Sequence, residues 1–297
     1  MRTTAEDNGR LDKEIGALNG VKPINQSDDR KDWYAVLDPV IQDVVAASPA
    51  IITQGSLVPD KTNSYRLRAT ILDAKIKLCE GERFGNQLQV AYCSAVLIGA
   101  DVIATAGHCV RGVGNNNRLP ALDEMRVVFG YRAESASDPG ASEFGDDQIF
   151  GIDSILDSSA QEDWALLKLN RSVPSKIASP IQVIASKKIA AHQSIYVVGY
   201  PSGLPVKYAD GAEVKVNDNP KHFVANLDTF RGNSGSGVFS KADNGLVGLL
   251  VGGATDYYPD GTVANACFRA YRCSKPNCGG EIVTRVELVR FPLGHVQ

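Results

Sequence analysis

From about Ser48 onward the chain is built of short apolar runs, each about as long as a strand. Gly, Pro, Asn or Asp closes each one. Runs such as PAIIT, QVAYCSAVLIG, DVIATAG, EMRVVFGY, DWALLKL, SIYVVGY, HFVANL, GSGVF, GLVGLLVGG and EIVTRVELV carry this pattern to the C-terminal region. Several are apolar at consecutive positions, so both faces of the strand must be covered, as inside a barrel or sandwich. No stretch sustains a helical period. The fold class is therefore all-β.

Residues 1–48 differ. They are rich in Asp, Lys, Asn and Gln, with one short helical candidate at Pro39–Ala47, and read as an extension ahead of the strands. The chain has 297 residues, room for one large or two ordinary domains. Its formal net charge of −3 gives no electrostatic reason to bind nucleic acid or a charged membrane surface. No apolar run is long enough for a spanning helix. The first residues, MRTTAEDNGRLDKEIG, lack the apolar core of a secretory signal. Six cysteines, an even number, point instead to an oxidising compartment. The expectation is a secreted or periplasmic protein whose signal peptide is not part of this sequence.

Three segments carry chemistry. Thr105-Ala106-Gly107-His108-Cys109 places a histidine at a strand end, Glu162-Asp163-Trp164 places a carboxylate ahead of an apolar strand, and Gly232-Asn233-Ser234-Gly235-Ser236-Gly237 places a serine in a glycine-rich turn. A serine hydroxyl needs a neighbouring base to act as a nucleophile at neutral pH. Histidine titrates in the right range for that work. A carboxylate would fix its tautomer, and glycines would let backbone N–H groups of Gly232 and Ser234 point at a developing oxyanion. Singly, each segment has a plain structural reading: a core histidine, a solvated carboxylate, a flexible turn. Together they form a catalytic set.

In this order the three segments resemble the signatures of the trypsin/chymotrypsin superfamily of serine endopeptidases. Within it, GNSGSG is closest to the bacterial trypsin-like and glutamyl endopeptidase branch, and Asp28-Asp29-Arg30 is similar to that branch's N-terminal arm. The resemblance covers about Ser48 to the C-terminus. It implies two antiparallel six-stranded β-barrels behind an N-terminal extension or prosegment (1–48). The first barrel, 49–175, would carry His108 and Asp163; the second, 176–297, would carry Ser234. It implies His108, Asp163 and Ser234 as catalytic triad, an oxyanion hole from Gly232 and Ser234, and substrate contacts from Asp228, Thr229, Val251, Gly252 and Gly253. It also implies a disulfide between Cys93 and Cys109, worth about 3 kcal/mol in the chain-entropy model. A monomer acting on protein or peptide substrates without cofactor or metal is expected, with no nucleic-acid or membrane partner. The rival expectation is a catalytically silent binding module on the same fold, and a small-molecule esterase is a third.

The chain departs from the family in places. Animal trypsins carry aspartate where this chain has Asn233, and a neutral amide cannot pair with a newly cut N-terminus. Activation by removal of residues 1–48 and an extension packed on an always competent enzyme both remain open. Asp228, six residues before Ser234, would select Arg and Lys if it lies at the base of the primary pocket. In a common bacterial pattern, however, this aspartate need not face the pocket. Leucine stands where glutamyl-specific relatives carry a histidine, which disfavours glutamate specificity. Cys79, Cys267, Cys273 and Cys278 allow three pairings, or a poorly spaced Cys₄ zinc site. The acidic loop Glu134–Asp147 is a calcium candidate without EF-hand spacing. His192, His222 and His295 belong to no motif.

Overall fold

The computed structural model describes residues 24–25, 27–111, 120–183, 188–253, 255–262, 265–273 and 279–291. Cys278, His295 and the first 23 residues lie outside the described residues, as does the pairing of Cys273. In chain order the elements that position the site are β1 (Arg30–Asp32), α1 (Pro39–Ala46), β2 (Ala50–Thr53), β3 (Cys93–Ser94), β4 (Val96–Gly99), β5 (Val102–Ala106) and α2 (His108–Arg111). They continue as β6 (Met125–Val128), β7 (Ile149–Ser159), β8 (Trp164–Leu169), β9 (Ser194–Gly199), β10 (Lys207–Val216), β11 (His222–Ala225), β12 (Gly237–Ser240), β13 (Leu246–Gly252) and β14 (Glu281–Arg285).

Two antiparallel sheets follow. The first has strand order β3-β2-β6-β7-β8-β5-β4 and curls into a nearly closed barrel. The second runs β9-β12-β13-β14-β11-β10, with β9 also pairing β10, so six strands close on themselves. The chymotrypsin-like double barrel expected from the sequence is thus the architecture adopted. Its first barrel has seven strands where six were expected, because the run CSAVLIG breaks at Ala95. There Ala95 donates its N–H to Pro49 O, while the preceding Ser94 N–H reaches across to Ser234 O at 2.8 Å.

The doubly apolar runs are explained by what each face covers. In β8, Ala165, Leu167 and Leu169 point into the core of the first barrel, and Trp164 and Leu166 join a cluster shared with the second. In β9, Ile195 and Val197 fill the second barrel, while Tyr196 and Val198 enter that same shared cluster. With side chains alternating along a strand, both sides are removed from water, at about 1.5–3 kcal/mol per large side chain. The shared cluster fixes one barrel against the other, and hence the first barrel's catalytic candidates against those of the second.

Residues ahead of the barrels are tied into them. Asp38 caps α1 by accepting the Val40 N–H at 2.9 Å, with Pro39 at the first helical position, and Ile41, Val44 and Val45 enter the shared cluster. β1 adds to the edge of β10 through Asp32–Lys207, Lys31–Tyr208 and Arg30–Ala209. Lys207 is fully buried there. Its Nζ lies 2.6 Å from Asp32 Oδ1 and donates to Gln87 Oε1 at 2.7 Å and Pro205 O at 2.9 Å. Burial lowers its pKa to about 8, with Asp32 opposing the shift. A second clip joins distant segments. Cys79 is bridged to Cys267 across a separation of 188 residues, holding the hairpin Tyr257–Asp260/Cys267–Ala270. That pairing takes two ligands from any Cys₄ zinc site.

Candidate active site

His108 opens α2, two residues past the end of β5. Asp163 stands just before β8, the strand that pairs with β5 (Ala106 opposite Trp164). Register alone therefore brings the two together. Gly107 N–H donates to Asp163 O at 2.9 Å, and the Asp163 carboxylate then takes hold of the histidine twice. Its Oδ1 accepts the His108 backbone N–H at 2.7 Å, and its Oδ2 lies 2.7 Å from Nδ1. Asp163 is 5% exposed and is held at φ 56°, a left-handed conformation that aims its side chain back under the imidazole. A carboxylate on Nδ1 requires the proton on that nitrogen, which leaves Nε2 to accept one. Arg111, one helical turn beyond, places Nη2 4.0 Å from Asp163 Oδ1 and donates to Ser159 O at 2.7 Å.

Ser234 comes from the second barrel, in the turn ahead of β12. Gly232 (φ 96°) and Gly235 (φ 85°) flank it in backbone conformations that side chains rarely adopt. Neither has room for one. A Cβ on Gly235 would fall 2.2 Å from Thr105 Oγ1 and 2.3 Å from Ser94 O; one on Gly232 would fall 2.4 Å from Tyr200 O. The turn is locked by Asn233 N–H to Phe230 O, Gly235 N–H to Leu250 O and Ser94 Oγ to Gly232 O. Among the described residues, the N–H groups of Gly232 and Ser234 have no hydrogen-bond acceptor within the protein. These two donors, two residues apart on a tight turn, are the ones the sequence reading assigns to an oxyanion hole. Asn233 is 2% exposed, and its Oδ1 accepts the Ser236 hydroxyl at 3.2 Å.

The Cys93–Cys109 bridge ties the residue after His108 to the residue before Ser94, whose N–H in turn holds Ser234 O. Cys109 Sγ lies 3.6 Å from Ser234 O, so the serine backbone reaches the residue next to the histidine. His108 and these two sulfurs also form a cluster close enough to surround an ion, but both sulfurs are committed to the disulfide. In the acidic loop, Glu134 pairs with Arg132, Glu143 with Arg66 and Asp147 with Lys176, so these carboxylates face cations and do not converge on a site. His192 is exposed, 3.8 Å from Glu213.

The other residues singled out in the sequence fall in two segments, 228–229 ahead of the serine turn and 251–253 at and beyond the end of β13. β13 pairs with β12 only as far as Leu249, so Val251, Gly252 and the exposed Gly253 continue past that pairing. Thr229 is buried, and its hydroxyl donates to Glu281 Oε2 at 2.6 Å. Asp228 is buried too, and its Oδ2 accepts the N–H of Asp29, from the N-terminal segment, at 2.9 Å. Burial, and then the nearby Asp228 carboxylate, push the Asp29 carboxyl up to about 8. Next to it Arg30, 3% exposed, makes two 2.8 Å bonds to Asp28 and lies over the rings of Phe230 and Phe84, at 4.2 and 4.9 Å from their centroids. From the sequence, Arg30 stands out only within Asp28-Asp29-Arg30 and Glu281 is not singled out; its one signal is a charged residue at the head of an otherwise apolar run.

The model of the trypsin-like peptidase domain matches residues 93–249, more than half of the chain and the stretch that holds all three motifs. The chain belongs to that family. A search of curated proteins by sequence found no match. Among solved structures the trypsin-like chain is similar to human heparin binding protein, at 16% identity over 82% of this chain and 87% of that one, with a TM-score of 0.48. It is also similar to the active form of the Rv3671c protease from M. tuberculosis, at 14% identity over 89% and 85%, with a TM-score of 0.45. Likenesses this distant leave the architecture resting on the chain's own strand order.

Proposed function

We propose that this trypsin-like chain is a serine endopeptidase that works through an acyl-enzyme. The observation that carries the reading is the double grip of Asp163 on His108, which fixes the tautomer a general base needs. Ser234 Oγ attacks the scissile carbonyl carbon while His108 Nε2 takes the hydroxyl proton. The carbonyl electron pair moves to oxygen, and the N–H groups of Gly232 and Ser234 stabilise it there. On collapse the C–N bond breaks and His108 gives its proton to the leaving amine. Water, deprotonated by the same nitrogen, then repeats the sequence on the ester and frees Ser234. Asp163 stays ionised throughout and stabilises the imidazolium.

Val251–Gly253 pair with the backbone of the substrate, which enters as an added strand. The two disulfides among the described residues suit an extracytoplasmic enzyme, which acts as a monomer on protein or peptide substrates. The segment from Asp28 to Asp32 belongs to the working enzyme, since its side chains and backbone are bonded into the second barrel.

Digestion of casein, followed by mass spectrometry of the fragments, tests this. Internal cleavage is expected, with Ser234→Ala and His108→Ala each lowering turnover on the order of 10⁶-fold. Hydrolysis of small esters with intact casein would overturn the endopeptidase reading.

A further inference from the structure

On the basis of that peptidase reading, we propose that Asp256 is a positioning residue of the oxyanion hole, holding the turn ahead of Ser234 so that the Gly232 N–H faces the substrate carbonyl. Asp256 stands just ahead of the hairpin Tyr257–Asp260/Cys267–Ala270, and its own carbonyl accepts the Tyr271 N–H at 2.9 Å. Its carboxylate reaches out of the hairpin to the serine turn, where Oδ2 accepts the Arg231 N–H at 3.0 Å.

Two consecutive peptide units form the front of that turn. In the first, Phe230 O accepts the Asn233 N–H at 3.0 Å and the Arg231 N–H goes to Asp256. In the second, Arg231 O accepts the Ser202 N–H at 2.6 Å, which leaves the Gly232 N–H for substrate. The carbonyl and N–H of one planar trans unit point in opposite directions. A rotation of the second unit would therefore bring a carbonyl oxygen to the place where the oxyanion develops. Gly232, at φ 96°, does little to oppose such a rotation, because glycine populates both halves of φ. The resistance has to come from the partners of the two units. Ser202 holds the second directly, and Asp256 pins the first, against which the second would turn.

Both partners belong to one assembly. The Ser202 hydroxyl lies 2.8 Å from the hydroxyl of Tyr257, the residue after Asp256, and the Tyr257 ring packs on Phe230. Of these three acceptor and donor partners, Asp256 supplies a side chain and the others supply backbone. Its ionised oxygen makes the stronger, charge-assisted kind of bond. It is thus the member of the set that a substitution can remove while the chain path is kept.

The test measures kcat and KM on a peptide drawn from a cleavage site in the casein digest, with the inhibition constant of the matching peptide aldehyde. The proteins are the wild type, Asp256→Ala, Asp256→Asn and Asp260→Asn, the last losing only the bond from Arg269 within the same hairpin. The Cys79–Cys267 bridge holds the hairpin in all four, and near-UV circular dichroism checks the fold. When the aldehyde binds, Ser234 Oγ bonds to its carbonyl carbon, the carbonyl electron pair moves to oxygen and the hydroxyl proton goes to His108. Its affinity therefore reports the oxyanion hole. Asp256→Ala is expected to lower kcat by about 10–10²-fold, short of losing a whole oxyanion donor, with KM within about threefold. Aldehyde affinity should fall in step with kcat/KM. Asn at 256 keeps an oxygen for the Arg231 N–H and should stay within about fivefold of wild type, as a neutral acceptor in place of a charged one. Asp260→Asn should behave as wild type. An Asp256→Ala enzyme with wild-type kcat and aldehyde affinity, or an equal loss in Asp260→Asn, would overturn the role of Asp256 and leave the peptidase reading standing. A wild type that neither cleaves peptides nor binds the aldehyde would overturn both.

Discussion

The carboxylate of Asp163 meets His108 at two points: Oδ1 accepts the histidine's backbone N–H and Oδ2 lies against Nδ1, both at 2.7 Å. The two bonds do different work. The first places the start of α2, and the second sets the proton of the ring. Asn at 163 can keep the first through its carbonyl oxygen, but it offers Nδ1 an N–H donor and so forces the opposite tautomer. Asp163→Asn is therefore expected to lower kcat by about 10⁴-fold while leaving the near-UV circular dichroism of the fold unchanged. Stopped-assay kinetics on a peptide substrate would check it. A variant within tenfold of wild type would mean that Asp163 does not orient the base.

Much of this was legible in the sequence, because the information is local. Strand-length apolar runs separated by turn residues declare a β fold, and a histidine, a carboxylate and a serine at strand ends declare the candidate site. The helix at 39–46 was readable from Pro39 and its apolar spacing, within one residue of its end. What was not legible depends on pairings between distant segments. Cys79 and Cys267 are 188 residues apart, and spacing gives no reason to join them. Asp29 meets Asp228 only because β1 docks on β10, and Glu281 meets Gly253 only because β14 and β13 are neighbours. A three-residue strand such as β1 carries too little pattern to announce its partner.

The buried pair of Lys207 and Asp32 holds β1 in place. Replacing Lys207 with Met removes the cation and leaves the Asp32 carboxylate out of water with, among the described residues, only the Gln87 amide as side-chain donor. Lys207→Met should cost about 3–5 kcal/mol of unfolding free energy, read from urea titration. A loss below 1 kcal/mol would show that β1 is dispensable to the barrel.

Asp29 makes stability depend on pH. Its folded pKa of about 8 lies above the ordinary value of 3.8, so between these limits the native state binds more protons than the unfolded chain. The contribution of this group is fully present below about pH 4 and is lost as pH rises through about 8. Melting curves from pH 4 to 8 should show the wild type losing this increment, and Asp29→Asn, which cannot ionise, should show a flatter profile over the same window. Parallel profiles would place the Asp29 carboxyl in water.

The Cys79–Cys267 bridge carries the hairpin whose Tyr257 packs on Phe230, at 5.2 Å between ring centroids, and hydrogen-bonds Ser202. Replacing both cysteines with serine should destabilise the protein by about 2–4 kcal/mol, measured by denaturant unfolding under oxidising conditions. An unchanged midpoint would mean that the hairpin is held by its other contacts alone.

In the proposed mechanism Ser234 is an activated nucleophile. A fluorophosphonate probe, followed by peptide mass spectrometry, asks this directly, because only a serine with a working base reacts at an appreciable rate. One adduct is expected, on Ser234, abolished by His108→Ala and, because the acceptor is gone, by Ser234→Ala. A well-folded wild type that takes up no probe at Ser234 would contradict it.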